Sequence, residues 1–137
     1  MTSQKTFIEI ANQRRDHAYF TMIPNLLWFL DLSLADFKLY NTLVKTAGWD
    51  GGTCFKTTET LAQESGLSTG AVSQSKTALE KAGLITRSTK KRSKGGRPID
   101  HVNIVDIWLE NIRFFKEVYS PGEETPLVYS LGELRER

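Results

Sequence analysis

Residues 61–85 constrain the fold more than any other part of the chain. They read Leu61-Ala62-Gln63-Glu64-Ser65-Gly66-Leu67-Ser68-Thr69-Gly70-Ala71-Val72-Ser73-Gln74-Ser75-Lys76-Thr77-Ala78-Leu79-Glu80-Lys81-Ala82-Gly83-Leu84-Ile85. The spacing is that of two short helices meeting at a tight turn. Leu61 and Ala62 pack inward, Leu67 plugs the corner, and Val72 and Leu79 face back into a core. Gly66 suits the corner because a residue without Cβ takes positive φ at no steric cost. Ser68 then stands as N-cap of the second helix, where its hydroxyl oxygen accepts from an otherwise orphaned backbone N–H.

The formal net charge of +2 conceals a strong polarity. Between 76 and 97 the basic residues are Lys76, Lys81, Arg87, Lys90, Lys91, Arg92, Lys94 and Arg97, against the single acid Glu80, which makes this stretch +7 and the remainder −5. A basic run alone is often only a solvated loop. Here it coincides with the second helix and the segment after it, which is the electrostatic footprint of a polyanion partner, since neutralising phosphates releases condensed counterions.

The flanking chain supplies the other elements. Residues 6–16 mix Phe7, Ile8, Ile10 and Ala11 with polar residues at roughly helical spacing, which predicts a short docking helix. Pro24 biases Ile23 toward an extended conformation. The cluster Leu26-Leu27-Trp28-Phe29-Leu30 is too apolar for a surface loop, so it either packs beneath the next helix or meets a partner chain. Ser33-Leu34-Ala35-Asp36 is a capping sequence, and Phe37, Tyr40, Leu43, Val44 and Ala47 follow at helical spacing up to Gly48. Thr53-Cys54-Phe55 predicts a short strand, and Thr57 the cap of the helix that carries Leu61. Leu84 to Thr89 begins as an apolar strand, Lys90 to Asp100 forms a basic hairpin tip with flexible Gly95-Gly96, and His101 to Val105 alternates as the returning strand. Asp106 can cap a final helix on which Trp108, Ile112, Phe115 and Tyr119 form one stripe, widened by Leu109 and Phe114 beyond what a small domain needs to bury. That stripe predicts dimerisation. Ser120 to Pro126 breaks the helix and leaves a mixed tail that is either disordered or docks on a protein partner.

The Leu-Ala, Gly, Val, Leu, Gly-Leu-Ile series followed by a basic hairpin resembles the winged helix-turn-helix DNA-binding domains of bacteria and phages. The likeness runs from Ile23 to Val105. It implies a mainly α fold with a small β-hairpin wing, divided as an N-terminal extension (1–22), the winged domain (23–105), a C-terminal helix for dimerisation (106–119) and a tail (120–137). One position departs from the pattern. Four residues after Val72, where an aliphatic side chain is usual, stands Lys76. Either it snorkels along the helix toward phosphate, or the helix is rotated slightly.

In the complex so implied, the second helix lies in the major groove, N-terminus first. Thr69, Ser73, Gln74 and Thr77 then face base edges, with Gln74 the best reader because its amide matches adenine N6 and N7. Gly70 permits close backbone approach. Thr57, Ser68, Lys76 and Arg87 are candidate backbone contacts, and Lys90, Lys91, Arg92, Lys94 and Arg97 form the wing. Gly96-Arg97-Pro98 also resembles the core of AT-hook segments, which suits a minor-groove or phosphate contact. No Arg lies on the helix, so phosphate contacts and the wing are expected to supply much of the affinity.

Other chemistries are poorly supported. His17 and His101 lack metal-ligand spacing to the single Cys54, which is expected to be a small buried hydrophobe. Gly51-Gly52 and Gly95-Gly96 have no phosphate-loop Lys-Ser/Thr partner, and the acids are not paired. The chain is therefore expected to be no enzyme and to need no cofactor or metal. No apolar run approaches the roughly 18 residues that span a bilayer, so a cytoplasmic, DNA-associated location is expected. Three functions follow. The first is a sequence-specific double-stranded DNA-binding transcription regulator acting as a homodimer. The second is a replication initiation or maintenance protein of a phage, plasmid or mobile element, whose origin-binding domains the Ile23-Pro24-Asn25 run resembles. The third is a protein-interaction adaptor.

Overall fold

The computed structural model describes residues 21–48, 52–90, 99–119, 122 and 131, with the side chains of all of these except 89, 90 and 99. The expected docking helix at 6–16, the tip of the basic hairpin and most of the tail lie outside the described residues. A 3-10 helix, Asn25–Phe29, opens the described chain. It is followed by α1 (Leu34–Ala47), β1 (Thr53–Cys54), α2 (Thr58–Ser65), α3 (Thr69–Lys81), β2 (Ile85–Lys90), β3 (Ile99–Ile104) and α4 (Trp108–Glu117).

Side-chain caps fix the start of each of the first three α-helices. Ser33 Oγ accepts from the Asp36 N–H at 3.0 Å while Asp36 Oδ2 accepts from the Ser33 N–H at 3.1 Å, a reciprocal box that satisfies two donors at the head of α1. Thr57 Oγ1 accepts from Thr60 N–H and Ser68 Oγ from Ala71 N–H. Gly66 closes α2 in the left-handed region at φ 74°, so α3 can leave at an angle within three residues. These four capping expectations hold, as does Gly48 as C-cap of α1.

The sheet has the order β1-β3-β2 and is antiparallel throughout. Ile85 stands opposite Ile104 and Arg87 opposite Val102, while Cys54 of β1 stands against Val102 on the other side. Cys54, Ile85, Val102 and Ile104 are buried against the helices, and His101 and Asn103 point the other way and stay partly exposed. The glycine at 52, just before β1, is required by space. A Cβ there would lie 1.7 Å from the Ala47 carbonyl oxygen, and the Gly52 carbonyl itself accepts from Ile104 N–H at 2.9 Å.

One core joins these layers. Leu39, Tyr40, Leu43 and Val44 of α1, Leu61 of α2, and Val72 and Leu79 of α3 meet the sheet residues with little or no exposure. Burial among apolar side chains pushes the Tyr40 phenol up to about 12, with the Asp106 carboxylate adding to the shift. From the Leu26 to Leu30 cluster, Leu26, Leu27 and Leu30 belong to this core, so the cluster packs within the protomer, but the 3-10 helix lies chiefly against α4 and not beneath α1 as expected. Trp28 alone turns outward, 67% exposed, with its ring 4.7 Å from that of Phe37.

α4 is rotated from the expected register. Asp106 Oδ1 accepts from Trp108 N–H at 3.0 Å, but the N-cap position is Ile107, which offers no side-chain cap, so the expected cap at Asp106 is replaced by a bond from one residue further out. The inward residues, however, are Ile107 and Phe114, both buried. Phe114 packs on Phe29 at 4.9 Å and on Phe115 at 5.1 Å, and Tyr119 closes the cluster at 5.2 Å from Phe115. Asn111 Oδ1 accepts from Leu26 N–H at 2.8 Å and locks this register onto the 3-10 helix. Thus of the stripe expected to pair two copies, Phe115 and Tyr119 are already engaged within the protomer. Ile112 remains 48% exposed, beside Leu109 at 81%.

Candidate nucleic-acid interface

α3 divides cleanly into two faces. Val72, Ser75, Lys76 and Leu79 are buried, whereas Thr69, Gly70, Ser73, Gln74, Thr77, Glu80 and Lys81 are exposed. A 3.6-residue repeat puts the exposed set on one side of the cylinder. The four residues expected to read bases, Thr69, Ser73, Gln74 and Thr77, therefore share that open side. Thr77 Oγ1 donates to the Ser73 carbonyl at 3.3 Å, so its hydroxyl hydrogen is used within the helix and its oxygen remains as acceptor.

Gly70 lies in the first turn of α3, and a Cβ built on it meets nothing within 4 Å. No contact inside the protein demands a glycine there. The Gly70 backbone is exposed at the positive end of the helix dipole.

The backbone-contact candidates have different surroundings. Ser68 is exposed at the head of α3, with its oxygen already accepting from Ala71 N–H. Thr57 acts as cap of α2 and also donates from Oγ1 to Thr60 Oγ1 at 3.0 Å, so its hydroxyl is held inside the protein. Arg87, on β2, donates from Nη2 to Glu80 Oε1 at 3.0 Å across the gap between strand and helix. That bond holds the Glu80 carboxyl below the usual carboxylate range. It also brings the base of the hairpin up to the exposed side of α3.

Lys76 requires a correction. Its side chain is not extended toward solvent or a phosphate: the residue is 2% exposed, and Nζ lies 3.7 Å from Asp100 Oδ2 at the start of β3. The helix is not rotated either, since Val72 and Leu79 face inward as expected. The inward stripe simply contains a cation, and its partner is supplied by a strand 24 positions away. Among the wing residues, Lys90 ends β2, while Lys91, Arg92, Lys94 and Arg97 lie outside the described residues, as does the Gly96-Arg97-Pro98 run.

Sequence reasoning missed three participants. Glu80 is the one acid of the basic stretch, but nothing in local spacing shows that it pairs with Arg87. Asp100 was placed at the end of the hairpin tip, without a partner. Leu131, in the tail, is buried 1% exposed in the core, where its side chain comes within 3.7 Å of a Cβ built on Gly83. Leu131 is one of three leucines in the mixed tail, with Leu127 and Leu134, and nothing local shows that it is one that docks.

Residues 30–85 match the family model of a helix-turn-helix domain, with α2, Gly66 and α3 as the two helices and their turn. The β2–β3 hairpin follows directly. This fold is a winged helix-turn-helix. A helix-turn-helix domain suggests DNA binding. Comparisons with curated proteins and with solved structures gave no match. Among the described residues the winged helix-turn-helix holds no group of side chains suited to a metal ion and no helix long and apolar enough to cross a membrane. Cys54, the single cysteine, is buried, and desolvation raises its thiol above the ordinary value. A thiol in that state is a poor nucleophile.

Proposed function

We propose that the protein is a sequence-specific double-stranded DNA-binding protein that regulates transcription, with α3 in the major groove and the basic hairpin against an adjacent backbone or minor groove. The observation that carries this is the exposed row of hydroxyls and one amide at Thr69, Ser73, Gln74 and Thr77, flanked by a hairpin stretch of high positive charge. Hydroxyl and amide side chains read base edges in the major groove by exchanging water for equivalent hydrogen bonds, and the hairpin cations supply phosphate attraction. Replication initiation or maintenance of a phage, plasmid or mobile element is the alternative within DNA binding, and it would use the same reading surface.

The homodimer belongs to this proposal in altered form. Leu109 and Ile112, not the Phe115 and Tyr119 end of the stripe, are the α4 side chains available to a second copy. The same exposed aliphatics, with Trp28, support an adaptor role as the alternative from another class.

A random-duplex selection at two salt concentrations tests the reading. The expected result is an enriched motif with two half-sites and an affinity that falls steeply as salt rises. Enrichment of an origin repeat array over promoters in the genomic version of the selection favours replication initiation. Absence of salt-sensitive duplex binding overturns the DNA-binding proposal.

A further inference from the structure

Lys76 occupies a place where an apolar side chain is the physical default. It lies four residues after Val72 and three before Leu79, on the buried stripe of α3. Lysine is almost never so fully enclosed without a counter-charge, because removing an ammonium from water is costly. The counter-charge present is Asp100, whose side chain is 35% exposed and whose backbone stands opposite Thr89 in the β2–β3 ladder. This is the last part of the hairpin described before its basic tip. One turn further along α3, Glu80 reaches Arg87 on the neighbouring strand. Asp100 and Arg87 belong to the same face of the hairpin as Val102, since all three alternate in phase across the ladder. The helix and the wing are thus joined by two ion pairs of opposite polarity, lysine to aspartate and glutamate to arginine. The Glu80–Arg87 pair is open to solvent and holds weakly. The Lys76–Asp100 pair has its cation sealed in the core, so it is the one able to fix an orientation.

We infer that Lys76 is a wing-positioning residue: through Asp100 it sets how the basic hairpin stands relative to the reading face of α3, so that both meet one duplex together. The inference deepens the DNA-binding proposal and rests on it for its effect on affinity. The bracing itself does not depend on DNA.

Lys76→Met keeps much of the side-chain volume and leaves Asp100 able to turn to water, so the variant folds with an undiminished melting temperature. Asp100→Asn leaves the ammonium enclosed without its counter-charge and lowers the melting temperature. Two measurements follow. In the free protein, amide exchange at 86–90 and 99–103 loses protection in Lys76→Met while α1 keeps its own. On a selected duplex, the salt slope of that variant falls by about 0.9 for each phosphate contact the loosened wing gives up. Unchanged hairpin exchange in both variants overturns the brace, whatever happens on DNA. Lost protection with an unchanged salt slope overturns the link from brace to binding. If wild-type protein binds no duplex, the failure lies with the proposed function, and the exchange experiment still decides the brace.

Discussion

α3 and α4 are helices of one small domain, and both bury an apolar stripe, yet they leave opposite kinds of surface outside. α3 presents Thr69, Ser73, Gln74 and Thr77, short side chains that water satisfies at little cost. α4 presents Leu109 and Ile112, which water does not satisfy. A face of hydroxyls and an amide gains only by exchanging one set of hydrogen bonds for another, so it rewards geometry and discriminates among partners. A face of aliphatic side chains gains by being covered, with little regard for what covers it. In a symmetric pair both copies contribute, so four such side chains supply at most about 6–12 kcal/mol when fully buried. The rotational and translational cost of association is about 4–15 kcal/mol. Gain and cost on the α4 face alone are thus of similar size, and a tight dimer needs additional area such as Trp28.

The sharpest way to break this contrast is to exchange the inward residues. Phe114→Ala should cost about 3–5 kcal/mol of stability, because it removes the ring on which Phe29 and Phe115 pack. Leu109→Ala, five residues earlier on the same helix, should change stability by less than about 0.5 kcal/mol. Denaturant melts of the two variants check both values. Similar losses would mean that α4 has a different buried face in solution.

Next in size is Gln74→Ala, expected to cost roughly 1–3 kcal/mol at one base position and to relax preference there, with stability untouched. Its counterpart, Leu109→Asp combined with Ile112→Asp, should abolish self-association in sedimentation and leave the affinity of a single half-site unchanged. If each variant altered the other property, the two helices would not be separable surfaces.

Gly70→Ala has a smaller and two-signed effect. An open, helical glycine replaced by alanine should gain about 0.5–1 kcal/mol of stability. DNA affinity should fall if a phosphate approaches the backbone there. A more stable variant with undiminished affinity would take Gly70 out of the interface.

The smallest effect concerns pH. The Glu80 carboxyl is lowered by Arg87, so the stability it contributes is present above the ordinary carboxylate value and is lost as pH falls through the lowered folded value. Wild type should therefore lose its small advantage over Glu80→Gln during acid titration followed by circular dichroism, and an advantage that persisted in acid would exclude the pair as its source.

What the sequence made legible was set by neighbours in the chain. Ser33, Thr57, Ser68 and Gly66 announce helix ends because a cap or a left-handed residue acts within three or four positions. The exposed row on α3 followed for the same reason, once Val72 and Leu79 fixed which side was buried. What stayed hidden depends on distant partners. The apolar residues of α4 are so numerous that two registers satisfy the helical repeat, and only Phe29 and the Leu26–Asn111 hydrogen bond choose between them. Lys76 was visible as an irregularity, but its meaning required Asp100. The wing tip was legible only as charge, because a run of cations and glycines has no periodicity from which a local geometry can be read.

Leu131 has one more implication. It fills the space beside Gly83, at the bend where the proposed reading helix passes into the first wing strand. Shortening it would open a void at that bend, so the leucine acts as a wedge that holds the end of the helix against the start of the strand.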